Sequence, residues 1–103
     1  MILSSLSTAP RYVHTDNHKL AGLICSIAEG DIQSLGELYT LTSVSIYSFA
    51  LSILKNSHDA EDVMHDVYLT VSASAATYED RGKPLAWLLT ITKNHCLAKL
   101  IWQ

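Results

Sequence analysis

With 103 residues, 49% apolar and 17% charged, the chain has the size and composition of one globular domain, which excludes a disordered or collagen-like chain. Its consecutive apolar runs are too short to span a bilayer, and the opening MILSSLSTAPRYVHTDN has no basic leader ahead of an apolar stretch. No membrane span or signal peptide is expected, and the chain reads as cytoplasmic. The net charge of −3 argues against a protein that holds nucleic acid by charge alone.

Residues 1–17 are polar, Ser/Thr-rich and without periodicity, which predicts a flexible tail ahead of a domain over 18–103. A first short helix fits 18–29, with Leu20, Leu23, Ile24 and Ile27 on one side. Gly30 can end it and Asp31 can cap the next. A second helix, about 32–55, carries Leu35, Leu38, Tyr39, Ile46, Phe49, Ala50, Ile53 and Leu54 at spacings that make one broad stripe. Its middle, Thr40 to Ser45, is a poor helix former and is expected to bend or loosen.

Asn56-Ser57 breaks the pattern, and Ser57 is the expected cap of a third helix over 58–75. Asp59 and Glu61 fall in its first turn, where negative charge suits the helix dipole. Ala60, Val63, Val67 and Val71 form the buried side. A loop, 76–83, follows, with Gly82 as its flexible point. Pro84 suits the first turn of a fourth helix, 84–101, whose stripe is Leu85, Leu88, Leu89, Thr92, Cys96 and Leu100. There are no strand alternations or repeats. The expected fold is all-α, a compact bundle of about four helices.

The charges are divided along the chain. From Glu29 to Asp80 there are nine acids against one base, Lys55. From Arg81 onward come Arg81, Lys83, Lys93 and Lys99 and no acid. Such a division can present an acidic face to one partner and a basic face to another, or can simply be solvated helix surface. Cys25 and Cys96 read as buried free thiols. With no CxxC pair, no metal site is expected. There is no Gly-rich phosphate loop and no nucleophile elbow, so neither an enzyme nor a cofactor is expected.

Three stretches resemble, in the right order, region 2 of the sigma-70 family of RNA polymerase sigma factors, in its extracytoplasmic-function branch. They are IAEGDIQSLGELYTLTSVSIYSFALSIL (27–54), HDAEDVMHDVYLTV (58–71) and TYEDRGKPLAWLLTITKNHCLAKL (77–100). The second is similar to that branch's acidic DAED helix, and the third to a loop and helix containing AWLxxIxxN. Each motif alone is weak; the specificity lies in all three at these separations.

The resemblance implies a domain of a transcription initiation factor. Its DAED helix would dock on the clamp-helix coiled coil of the polymerase largest subunit. Its last loop and helix would hold the non-template strand of the promoter −10 element and help to open it. An anti-sigma factor is a further implied partner. Full members of the branch continue into a second helical domain that reads the −35 element. The rival reading is a sigma-like interaction module that binds polymerase or an anti-sigma factor without opening DNA.

On the third helix Asp62, His65, Asp66 and Leu69 fall at i, i+3, i+4 and i+7, one continuous face. An acidic patch with an apolar centre suits a partner helix bearing arginine. Without the resemblance it reads equally as a solvated helix start. His65 stands where the family usually has Gln, and Asp66 where it has Glu, which changes the reach of both groups. In the loop and fourth helix, Arg81, Lys83 and Lys93 can meet phosphates and Asn94 can read a base edge, with Thr90 one turn before it. Tyr78 can stack on a base or seal the bundle. Trp87 reads more readily as packing than as a stacking platform, and Asn94 can instead cap a neighbouring turn. With so few bases, negligible DNA binding is expected from the chain alone.

Overall fold

The computed structural model describes residues 16–102. Four helices follow one another: α1 (Asn17–Ala28), α2 (Ile32–Leu54), α3 (Ser57–Ser74) and α4 (Pro84–Ile101). A 3-10 turn, Ala75–Thr77, extends α3 into the loop before α4. No strand occurs among the described residues, and the fold is the all-α bundle that the spacing of apolar residues requires.

The first three helices begin where a side chain can satisfy a free backbone amide, and α4 begins at a proline, which has none to satisfy. Asp16 accepts from the His18 amide at 2.8 Å, so α1 starts at Asn17, one residue earlier than the periodicity suggests. The remainder of the expected tail, residues 1–15, lies outside the described residues. Gly30, at φ 94°, turns the chain after α1, a left-handed conformation that costs glycine little. Asp31 caps α2 with both oxygens, accepting from the Gln33 amide at 3.0 Å and the Ser34 hydroxyl at 2.9 Å. The cap of α3 is Asn56 rather than Ser57: its side-chain oxygen reaches the Asp59 amide at 2.9 Å, and Ser57 is already helical. Pro84 opens α4 as expected.

α2 stays helical through Thr40 to Ser45, so it does not loosen there. The hydroxyls find acceptors in the helix itself, Thr40 donating to the Gly36 carbonyl and Thr42 to the Leu38 carbonyl. Among the described residues α2 alone is long and apolar enough, by length and composition, to cross a membrane, which the short consecutive runs had not suggested. In the bundle it packs against α1, α3 and α4, with Leu38, Thr42, Ile46, Ala50 and Leu54 buried. It is the central core helix.

The core joins Leu20, Leu23, Ile24 and Ile27 of α1 to Ala60, Val63, Val67 and Val71 of α3 and Leu88 and Cys96 of α4. Met64 and Tyr68 join it as well, widening the buried side of α3 beyond the valine stripe. Three expected core positions differ. Tyr39 is 36% exposed and Leu100 46% exposed, and Cys25 is exposed. Leu97, Ile101 and Trp102 are exposed along with Leu100, whereas Lys99 in the same turn packs against the start of α3. Cys96 is the buried free thiol, and burial pushes its pKa up.

One buried polar contact fixes α2 against α3. Thr42 gives its only proton to Leu38, so the Tyr68 hydroxyl, 2.6 Å away, donates to the Thr42 oxygen. Burial pushes the Tyr68 phenol up to about 12 and keeps it a donor. The contact is asymmetric. Tyr68→Phe removes a donor and strands nothing, and is expected to cost about 0.5–1.5 kcal/mol. Thr42→Val leaves a buried phenol without an acceptor, at about 1–3 kcal/mol. Urea unfolding of the two variants should therefore rank Thr42→Val as the less stable.

Candidate polymerase and strand-binding surfaces

The inward residues of α3 dictate its outward ones. With positions 60, 63, 64, 67, 68 and 71 in the core, Asp62, His65, Asp66 and Leu69 form a stripe on the surface. Asp62 keeps 46% of its side chain accessible and Leu69 is 71% exposed. All four residues of the expected docking face are thus brought together and are accessible.

The surroundings of Asp62 add what the sequence did not disclose. His58 Nε2 and Lys99 Nζ each lie 3.6 Å from its Oδ2, and Lys99 is also 3.8 Å from Asp59 Oδ1. Lys99, counted with the basic end of the chain, is therefore spent on the acidic helix. The division of charge along the sequence is not carried intact into space. Beside it, Asp66, Val63, His95, Ala98, Lys99 and Trp102 line a shallow groove of about 350 Å³. A hydrogen bond of 2.8 Å between Thr70 Oγ1 and His95 Nε2 ties α3 to α4 behind this groove.

The second surface is built by the loop and the start of α4. Tyr78 packs against Trp87 with ring centroids 4.9 Å apart and planes tilted by 52°, a favourable aromatic geometry. The Tyr78 hydroxyl donates to Asp80 Oδ1 at 3.2 Å, and the same oxygen accepts from the Gly82 amide at 2.9 Å, which shapes the loop. Burial first, and then the Asp80 carboxylate, push the Tyr78 phenol above its ordinary value, so it stays neutral. Thr77, Tyr78, Glu79, Arg81, Lys83 and Trp87 line an open groove of about 360 Å³. Four of the expected strand-binding residues, Tyr78, Arg81, Lys83 and Trp87, thus share one concavity.

The packing expected of Trp87 is found, and both rings pack against the core while also lining the groove. Arg81 pairs with Glu79 at 2.8 Å, both side chains being at least 75% exposed, a contact too solvated to hold the arginine in place. Thr90, Lys93 and Asn94 lie outside the groove, exposed further along α4. The Thr90 hydroxyl donates to the Ala86 carbonyl at 2.9 Å. Asn94 caps no turn: among the described residues its amide has no hydrogen-bond partner. Thr77 and Glu79 are groove residues that periodicity could not identify, because they lie in irregular backbone.

A larger and mostly apolar groove, about 430 Å³, runs between α1 and the 3-10 turn, with Cys25, Ala75 and Tyr78 in its lining. It shares the Tyr78 ring with the strand groove. Among the described residues no three His, Cys, Asp or Glu side chains gather as a metal cluster.

Comparison with known proteins gives a consistent picture. The family profile described as Sigma-70 region 2 matches residues 38–100, a segment that contains both surfaces. The chain is 31% identical over 90 residues to the "ECF RNA polymerase sigma factor SigK" of Mycobacterium sp. (strain KMS), covering 86% of this chain and 45% of the relative. It is 28% identical over 82 residues to the protein of the same description from Mycobacterium ulcerans (strain Agy99), covering 79% and 44%. With that of Mycobacterium tuberculosis (strain ATCC 25177 / H37Ra) it shares 26% over 94 residues, covering 90% and 49%. The chain thus spans about half the length of the curated relatives it matches. No solved structure matches.

Proposed function

Since the chain belongs to the sigma-70 family, as a region 2 domain of the extracytoplasmic-function branch, we propose that it serves transcription initiation by binding two partners and catalysing nothing. The first partner is core RNA polymerase, met by Asp62, His65, Asp66 and Leu69 on the clamp helices of the largest subunit. The second is the non-template strand of the −10 element, held by Tyr78, Arg81, Lys83 and Trp87 in their groove and by Thr90, Lys93 and Asn94 along α4. Its place of action is the cytoplasm, with polymerase. An anti-sigma factor that covers either surface would silence it.

The observation that carries this reading is the α3 stripe, in which a 71% exposed leucine continues the face of Asp62 and Asp66. A face that serves only the helix dipole ends with the first turn; one that docks on a basic coil uses charge and an exposed apolar residue together. The groove supports the second contact. It pairs an aromatic wall, on which a base can lie, with two cations at its rim, which is the chemistry of single-strand capture.

A second reading is favoured by one specific observation. Lys99 is engaged on α3 and an acid, Glu79, stands beside Arg81, which leaves Arg81, Lys83 and Lys93 as the cations of this surface among the described residues. So few phosphate contacts give little autonomous affinity. DNA contact then depends on polymerase holding the domain beside the strand, an effective-concentration effect. If even that fails, the chain is a polymerase-binding module that does not open promoters. Photocrosslinking of single-stranded −10 oligonucleotides to Tyr78 or Asn94 in the reconstituted holoenzyme separates the two: adducts are expected, and their absence favours the second reading.

A further inference from the structure

The cation nearest the proposed docking carboxylates belongs to the protein itself. Lys99 reaches from the last turn of α4 to stand 3.6 Å from Asp62 and 3.8 Å from Asp59. Both distances exceed the roughly 2.7–2.9 Å of a direct charge-assisted bond, so the ammonium is shared between two carboxylates and committed to neither. It is also sheltered: the Lys99 side chain is 29% exposed and that of Asp59 22%. Lys99 lines the shallow groove together with Val63, Asp66, His95, Ala98 and Trp102. His58 meets the same Asp62 oxygen from the other side.

We propose that Lys99 is an internal competitor for Asp62, holding the place that an arginine of the docked partner takes, and so sets the affinity and selectivity of the α3 surface. The proposal rests on the docking reading given above. A shared ammonium is a weak rival to a guanidinium, whose planar fork of donors fits a carboxylate with two parallel bonds. Arginine can therefore displace Lys99, whereas a partner offering lysine or neutral groups gains little over the contact already present. Polymerase must release this pair when it binds, and every cation-poor partner is penalised by it.

The test is the affinity of the full chain for core RNA polymerase purified from a mycobacterium. Lys99→Met keeps the apolar stem and removes the charge. It is expected to bind about threefold tighter at low salt, with the gain fading as salt rises. In an Asp62→Asn background the same substitution should give almost no gain, and Lys99→Arg should not reproduce it. Equal or weaker binding by Lys99→Met, or the same gain with Asp62 neutralised, would overturn the proposal. Should Lys99→Met melt at a lower temperature than the parent, Lys99→Gln provides the same reading. A variant with Asp62 and Asp66 both reversed is measured alongside. If it fails to bind while Lys99→Met is neutral, the docking reading stands and only the competitor role falls. If it binds as well as the parent, both fall.

Discussion

Asp62→Lys combined with Asp66→Lys is expected to abolish binding to core RNA polymerase and to leave the bundle folded. The fold survives because neither carboxylate is part of the core. The structural loss is the half-exposed pair of Asp62 with Lys99, of a class worth about 0.2–1 kcal/mol, together with new repulsion that solvent screens. Binding responds far more. Truncating one partner of a desolvated charge pair at an interface costs about 2–5 kcal/mol. Reversal at two positions, four residues apart on one face, adds like-charge repulsion to both losses. The expected fall in affinity is at least about a thousandfold, beyond the reach of a pull-down. An unchanged thermal melt with no recovered polymerase is the expected pair of results. Asp62→Asn with Asp66→Asn should fall between this variant and the parent.

Tyr78→Ala combined with Lys83→Glu has the complementary effect, losing the strand and keeping the polymerase. Tyr78 supplies one wall of the groove and Lys83 one of its cations. Base–aromatic stacking is worth about 1–3 kcal/mol per base, and charge reversal at Lys83 replaces a phosphate attraction by repulsion. The crosslink to a single-stranded −10 oligonucleotide in the holoenzyme should drop by about tenfold to a hundredfold. Tyr78→Phe keeps the stacking surface and loses only the bond to Asp80, so it should stay near the parent. Equal crosslinking by the double variant would remove the groove from the account. Lost polymerase binding would show that the two surfaces are not separate.

Much of this was legible in the amino-acid sequence because helical periodicity fixes which side of a helix faces inward. Leu20, Ile24, Val63, Val67 and Leu88 were identified by that rule alone and all are buried. The α3 stripe followed as the complement of its core. The rule fails where the outcome depends on a neighbouring helix. Leu100 has the right spacing but is left exposed near the end of α4. Lys99 looked like part of a basic surface, and only the crossing of α4 over the start of α3 brings it to Asp59 and Asp62. Residue type alone makes Tyr78, Arg81 and Lys83 candidates for strand contact, and makes Trp87 first a packing residue. That they share one concavity depends on the Asp80-centred turn and the Tyr78–Trp87 contact. Neither has a periodic signature.

The α3 stripe is the part of the account on which the others depend, because the strand surface is too poor in cations to act unless polymerase holds the domain. A photoreactive amino acid placed at Leu69, at the C-terminal end of that stripe, examines it without disturbing a carboxylate. In a complex with core polymerase the expected adduct is to the clamp helices of the largest subunit. Adducts to another subunit, or none from a complex that has demonstrably formed, would contradict the account.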